Sequence, residues 1–469
     1  MLELICQGCG RTVPLAAPTP WRCPGAGDGR DHVLAAPPYA NAAVGPETNP
    51  FLRYRQSMSA WHLARQQGLS DADYCQLVQD LDDHVRAVDG VGFVQTPFGR
   101  SQALQDAAAA PGPVFVKVET AAPGGSHKAR HLMGLALFAQ VQQRAGLLSG
   151  EQPRLAIASC GNAALAAAVI ARAWQRPLDV FIPPDANPRV VARLQALGAQ
   201  VEICHRQPGV AGDPCYHAFL QAVAQGALPF CCQGSDIGLT IEGGKTLAWE
   251  LAELLAGAGV RGGRLFVQVG GGALASSVWQ GLAEVLPTGA RPRLHPVQTH
   301  GAYPLRRAWL AVAAEVAREL GDATLTQQAQ ALTSTGEPAQ DDRFARGLHA
   351  QLATPAGQAA LQRALATATQ ERSRFMWPWE EAPHSVAHGI LDDETYDWLA
   401  LVRGTLESGG FPVIASEELL VRAHAQGRAA GYQADPTGTS GLAGLLVLAQ
   451  AGLLAATEPA VVLFTGVER

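Results

Sequence analysis

The stretch FVQVGGGALASSV, residues 266–278, decides the fold. A β-prone run ends at Gly270, Gly271 and Gly272, and small residues suited to a helix follow at once. A strand that hands over to a helix through a tight glycine turn is the repeating piece of a parallel sheet. Working outward, the same alternation fills most of residues 113–469. VFVKV, RLAIAS, LDVFIP, QVEIC, RLFVQV, RLHPVQT, PVIAS and a final AVVLFTG recur between Ala- and Leu-rich segments. The pattern predicts an α/β core of mostly parallel strands with helices on their faces. Ala-, Gln- and Arg-rich sequence at about 300–380 interrupts it and reads as an inserted helical segment. Residues 36–112 read as a polar helical region, with Ser70 as an N-cap. Residues 1–35 stand apart, carrying CQGCG and CPGAGDGRDH among prolines and glycines. No internal repeat is visible.

Of the 469 residues 48% are hydrophobic, enough for a real core, and the formal net charge is -6. That balance argues against a general nucleic-acid or membrane-surface binder, which needs a basic face. No basic-apolar-small leader opens the chain. The most apolar stretch, GLAGLLVLAQAGLLAA at 441–456, is broken by Gln450 and followed by Glu458 and Pro459. It is too short and punctuated for a membrane span. Nine cysteines at irregular spacing make no disulfide framework. The expectation is a soluble, reduced, cytoplasmic protein with no nucleic-acid or membrane partner.

Ligands of a parallel sheet gather where strands give way to helices, and four such places carry unusual residues. In APGGSHKARHLMGLALF, 122–138, Lys128 stands between a glycine–serine turn and a helix. In IASCGNAALAAAV, 157–169, Ser159, Cys160, Gly161 and Asn162 precede a helix whose free amides and positive end suit a carboxylate. Gly270, Gly271 and Gly272 let the backbone wrap around a phosphate. Their spacing is not G-x-G-x-x-G, because Ala273 follows directly, and no Gly-Lys-Ser/Thr end is present. DPTGTSGLAGL, 435–445, sets hydroxyls before another helix. Singly, the glycine loop reads as well as a tight turn, and a lone lysine or a Ser-x-Gly-Asn turn is more often a solvated side chain or a cap. Together, one amine, one phosphate cradle, one carboxylate cradle and one hydroxyl partner are the parts that hold pyridoxal phosphate.

The motifs resemble those of the fold-type II pyridoxal-phosphate enzymes, among them threonine synthase, threonine dehydratase, serine racemase, cysteine synthase and the tryptophan synthase β chain. GSHKAR resembles their Ser-x-Lys motif, SCGNAA their Ser-x-Gly-Asn motif and VGGGALASS their tetraglycine loop. HSVAHGIL, IEGGKTLAWEL and DPTGTSGLAGL resemble further segments, so that the likeness spans about residues 95–466 in the family's order. It implies two open, mostly parallel α/β lobes with the cofactor between them, the smaller lobe over about 150–240. It implies that Lys128 is the Schiff-base lysine and the proton shuttle at Cα. Asn162 would bond the ring hydroxyl, and Ser159, Cys160, Gly161 and Ala163 would form the loop that grips the substrate carboxylate. Gly270, Gly271, Gly272, Ala273 and Leu274 would cradle the phosphate, and Thr437, with Thr439 second, would meet the pyridine nitrogen. A hydroxyl there makes a weaker electron sink than a carboxylate, which suits elimination and replacement over transamination.

Departures from the family pattern leave the substrate open. His127 stands where threonine synthases and dehydratases usually carry phenylalanine, Ala129 replaces an aspartate, Ala273 a fourth glycine and Cys160 a small Ser or Thr. The implied activity is elimination or replacement at the side chain of a small serine- or threonine-type amino acid, by a homodimer. The alternative is threonine synthase acting on O-phosphohomoserine, which needs a second phosphate site; Arg130, Lys245, Arg306 and Arg307 are candidates. An inactive cofactor-binding sensor or scaffold is the remote alternative. At the N-terminus Cys6 and Cys9 have zinc-ribbon spacing, with Cys23 a third ligand. Ala26 stands where the next C-x-x-C partner would be, and His32 would complete a Cys3His site. A zinc site and a worn-down ribbon without metal both stay open.

Overall fold

The computed structural model describes residues 2–40, 42–148, 153–206 and 212–469. In chain order its strands are β1 (Glu3–Cys6), β2 (Thr12–Pro14), β3 (Leu34–Ala35), β4 (Phe98–Arg100), β5 (Val114–Val118), β6 (Leu155–Ala158) and β7 (Leu178–Ile182). β8 (Gln200–Ile203), β9 (Leu228–Pro229), β10 (Arg264–Gln268), β11 (Arg293–Thr299), β12 (Val413–Ala415) and β13 (Ala460–Phe464) follow. Each of the apolar runs picked out in the sequence is one of these strands. β10 and β13 are buried at every residue, as expected of parallel strands covered on both faces.

By compactness the chain forms two units. One comprises Met1–Gly25, His32–Gln95 and Ala121–Leu247. It holds the antiparallel sheet β2-β1-β3 and the parallel sheet β8-β7-β6-β9. The other comprises Ala26–Asp31, Thr96–Thr120 and Ala248–Arg469. It holds the sheet β12-β11-β10-β13-β5-β4, parallel except for β4. The lower bound of 150 drawn for the smaller lobe falls outside the described residues.

Local chemistry explains the helix ends. Ser70 accepts from the Asp73 N–H at 3.0 Å while the Asp73 carboxylate accepts from the Ser70 N–H at 2.8 Å. This capping box satisfies two otherwise orphaned amides and starts the helix Asp71–Asp89. The inserted segment is helical, with Pro304–Leu320, Ala323–Ala331, Pro338–Leu352 and Pro355–Gln370. Buried Asp342 anchors it by accepting from Arg293 of β11 at 2.6 Å, and Arg306 pairs with Asp341 at 2.7 Å. Among the described residues, no helix is long and apolar enough to cross a membrane.

The helix Lys128–Arg144 lies on the helix Leu239–Gly257 through facing glycines. A Cβ on Gly134 would come within 2.7 Å of the Gly243 Cα, and one on Gly243 within 2.4 Å of the Arg130 carbonyl oxygen. His131 Nδ1 meets the Thr240 carbonyl at 2.8 Å across the same contact. Since the obstructing atoms are backbone, Gly243→Ala must push the lysine-bearing helix away. We expect it to lower stability by about 1–3 kcal/mol or more, measured as a lower midpoint of denaturant unfolding.

Candidate active site

In the first unit, two expected loops come together. Gly124 and Gly125 turn the chain at φ +66° and +70°, and the Gly124 N–H donates to the Asp89 carboxylate at 2.7 Å. A Cβ on Gly124 would lie 3.2 Å from the Ala166 Cα, so this turn rests on the helix Asn162–Ala173. Lys128 opens its own helix and is partly exposed. Neither helix has a side-chain cap, whereas Ser70, Asn187 and Asp213 cap theirs. First-turn amides without a side-chain acceptor are suited to an anionic ligand. In the loop after β6, Ser159 Oγ accepts from the Gly161 N–H at 3.4 Å. Burial pushes the Cys160 thiol up, and the charges of Asp185 and Asp213 add to it. Cys160 is therefore a neutral thiol near pH 7 and not a thiolate nucleophile.

The chain has only three lysines, and the structure separates them sharply. Lys117 is fully buried in the second unit, donates to the Thr96 carbonyl at 2.7 Å and pairs with Glu119 at 3.6 Å and with Glu250. Lys245 is buried and engaged. Lys128 alone combines partial exposure with a place at a strand–helix handover.

In the second unit the glycine turn is held from one side by residues 389–398. Thr395 Oγ1 donates to the Gly270 carbonyl at 3.0 Å and the Asp397 N–H to the Gly271 carbonyl at 3.1 Å. A Cβ on Gly271 would meet the Tyr396 ring at 2.8 Å, and one on Gly272, at φ +97°, would meet Thr395 and Leu401 at 2.9 Å. The carbonyls are thus tied back, and the helix Ala273–Val285 begins without a side-chain cap. The same segment reaches the expected ring partner, since the Gly389 N–H donates to Thr437 Oγ1 at 3.0 Å. Thr439 and Ser440 instead spend their hydroxyls on backbone: Thr439 on the Asp435 carbonyl at 3.1 Å, Ser440 on the Pro436 carbonyl at 2.8 Å. Thr437 therefore ranks above Thr439. It does not cap the helix Ser440–Gln450, which has no side-chain cap.

Sequence reasoning missed Thr395 and Asp397. The motif HSVAHGIL ends just before them, and LDDETYDW looks like an ordinary acidic surface run. It also missed Asp236, on the loop after β9, the parallel neighbour of β6. Burial pushes this carboxyl up to about 6, against the pull of the Tyr216 hydroxyl at 2.8 Å. The cations considered for a second phosphate have other partners. Arg130 donates to Thr246 at 3.3 Å, and Arg306 to Asp341 and to the Thr333 carbonyl at 3.0 Å. Arg307 pairs with Glu380 at 2.7 Å and lies 4.2 Å and 4.6 Å from the Trp377 and Trp379 ring centres.

The ribbon side chains do converge. Cys6, Cys9, Cys23 and His32 each offer one ligand atom, and these atoms lie within 4.8 Å of one another. Cys6 Sγ is 3.5 Å from His32 Nδ1, and Cys9 Sγ is 3.5 Å from Cys23 Sγ. Burial pushes the Cys6 thiol up to about 12. Burial also opposes ionisation of Cys9, but the Arg11 N–H and the neighbouring ligands outweigh it and bring that thiol to about 7. The cluster has the composition and spacing to hold a metal ion.

Comparison with known proteins agrees with this geometry. The chain is 32% identical over 210 residues to serine dehydratase-like of Homo sapiens, covering 45% of this chain and 58% of the relative. It is 32% identical over 174 residues to L-serine dehydratase of Saccharomyces cerevisiae, covering 36% and 50%. It therefore spans about half the length of the curated relatives it matches. Among solved structures, diaminopropionate ammonia lyase from Escherichia coli superposes with a TM-score of 0.56 at 14% identity, over 91% of this chain and 92% of that one. The fungal L-serine ammonia-lyase from Rhizomucor miehei superposes with a TM-score of 0.50 at 18% identity, over 80% and 94%. At such identities these two likenesses speak for the fold. The family model described as pyridoxal-phosphate dependent enzyme matches residues 91–343, more than half of the chain. With its lysine, its two uncapped loops and its glycine turn accounted for, the chain belongs to the pyridoxal-phosphate dependent enzyme family.

Proposed function

We propose that this protein is a pyridoxal-phosphate-dependent lyase that eliminates the side-chain substituent of a small serine- or threonine-type amino acid. The observation that carries the reading is the lysine inventory. Of three lysines, Lys117 and Lys245 are buried and engaged, which leaves Lys128 as the amine able to hold an aldehyde cofactor. The other donors fit that group as well. Uncapped helix starts at Ala273 and Asn162 supply amides for a phosphate and a carboxylate, and Thr437 keeps a hydroxyl proton after accepting from Gly389. Pyridoxal phosphate, when bound, supplies the electron sink for negative charge at the substrate Cα.

The chain's own residues do the rest. With the cofactor bound, Lys128 would take the Cα proton and pass it to the departing Cβ hydroxyl, which leaves as water. Ser159, Cys160, Gly161 and Ala163 orient the carboxylate with the amides of the following helix, and Asn162 bonds the ring hydroxyl. Gly270–Leu274 hold the phosphate by backbone, so that no charged side chain has to be desolvated. The dehydratases among the relatives support a hydroxy amino acid as substrate. Threonine synthesis is less favoured, because Arg130, Arg306 and Arg307 already have other partners. The irregular spacing of the nine cysteines, which makes no disulfide framework, supports a cytoplasmic setting. We also propose zinc at Cys6, Cys9, Cys23 and His32, supported by the ligand separations and the ready ionisation of Cys9.

A substrate panel tests the activity. Serine, threonine, diaminopropionate, O-acetylserine and O-phosphohomoserine should be compared for release of ammonia and keto acid. Turnover of serine or threonine is expected. Release of phosphate from O-phosphohomoserine, with no ammonia from the others, would transfer the reading to threonine synthase.

A further inference from the structure

We infer that a metal ion on the Cys6–Cys9–Cys23–His32 cluster strengthens binding of the cofactor phosphate, acting through Asp31; this rests on the metal and cofactor readings above. Asp31 immediately precedes the ligand His32 in the chain. Its carboxylate accepts from Arg372 Nε at 2.9 Å and from the Trp398 indole N–H at 2.6 Å. Trp398 is almost fully buried and opens the helix Trp398–Ser408. The residue before it, Asp397, donates its N–H to the Gly271 carbonyl at 3.1 Å. Arg372 also pairs with Glu394, next to Thr395, whose hydroxyl holds the Gly270 carbonyl at 3.0 Å. Both bonds that tie back the glycine turn thus come from residues within a few positions of a partner of Asp31.

The segment that presents Asp31 is not rigid by composition. Residues 24–31 are PGAGDGRD, and Gly27 and Gly29 sit at φ +99° and +82°. Glycine-rich sequence loses much entropy when ordered. Cys23 and His32 are the residues just outside its two ends. A metal that binds both closes the loop and restricts the backbone next to Asp31, so part of the ordering cost is met before the cofactor arrives. His32 also packs near the loop's start, since a Cβ on Gly25 would lie 3.1 Å from its ring. By linkage, a metal that favours the ordered Asp31–Trp398 bond must favour whatever that order helps to bind, and the coupling is reciprocal.

The test uses the 469-residue protein stripped of pyridoxal phosphate, with zinc present or removed by a chelator. It measures zinc content and the affinity for pyridoxal phosphate by absorbance titration, without reference to turnover. Wild type should bind equimolar zinc, and removing it should weaken cofactor affinity on the order of tenfold. Asp31→Asn should keep the zinc, bind the cofactor as weakly as zinc-free wild type and ignore further zinc removal. Trp398→Phe, which loses only the indole N–H, should behave alike and serves if Asp31→Asn does not fold. Bound zinc whose removal leaves cofactor affinity unchanged overturns the inference, as does an Asp31→Asn protein that responds to zinc like wild type. Absence of bound zinc overturns it together with the metal reading. Failure of zinc-loaded wild type to bind pyridoxal phosphate overturns it together with the cofactor reading instead.

Discussion

Alanine at position 128 should abolish turnover, with a loss of at least three orders of magnitude, since proton transfer by a placed side chain alone contributes about 10²–10⁴-fold and covalent attachment is lost too. The visible absorbance of the protein-bound cofactor should disappear with it. Folding should survive, because Lys128 is partly exposed at the first position of its helix, while Gly134 and Gly243 set that helix in place. Borohydride reduction of the wild-type holoenzyme, followed by peptide mapping, should place the cofactor on Lys128. A label on Lys117 would mean that an amine paired with Glu119 and Glu250 had left that network. That result, or a label on Lys245, would sink the assignment.

Thr437→Asp should lower elimination by about a hundredfold, a barrier increase of about 2.7 kcal/mol. Thr437 Oγ1 accepts from the Gly389 N–H at 3.0 Å and can still donate its own proton to an unprotonated ring nitrogen. An aspartate can accept from Gly389, but an ionised carboxylate has nothing to donate. It would instead hold the ring nitrogen protonated and deepen the electron sink. It would also stand two positions from Asp435, whose carboxyl burial already pushes up. Transamination or racemisation should appear as side reactions, with absorbance shifted to longer wavelength. Thr437→Ser, which keeps the hydroxyl, should stay within a few-fold of wild type. An aspartate variant with normal turnover and an unchanged spectrum refutes the role and moves it to Thr439 or Ser440.

Much of this was legible in the sequence because the signals are local. A β-prone run, a glycine or Ser-x-Gly-Asn turn and a small-residue helix lie within a dozen or so positions, so the strands β5 to β8 and β10 to β13 and the loops at Lys128, Ser159, Gly270 and Thr437 could be named, while the two-residue β9 could not. Ser70 was legible as an N-cap, while the reciprocal bond from Asp73 that completes its capping box emerged from the structure. What could not be read was long-range. Thr395 and Asp397 hold the glycine turn from 125 or more positions away, and their carrier segment has the composition of a solvated loop. Glu242 lies in IEGGKTLAWEL, a segment legible only as family-like, and it accepts from the Ser59 N–H at 2.6 Å, a structural bond no spacing rule anticipates. Arg306 and Arg307 looked available until the partners from the inserted segment were known. The ribbon lay between these cases: its ligands were visible singly, but Ala26 broke the pattern and only folding brings His32 to the three cysteines.

The scarcity of lysine has a chemical consequence of its own. Arginine supplies all but three of the 35 formal positive charges, and a guanidinium, protonated at any physiological pH, does not condense with an aldehyde as an amine does. A chain that must live beside a reactive carbonyl thus offers it hardly any wrong place to attach. The same scarcity leaves the folded, cofactor-free protein few targets for amine-directed reagents: an acylating or aldehyde-bearing probe added in modest excess should report on Lys128 and an α-amino group rather than on an average over the surface.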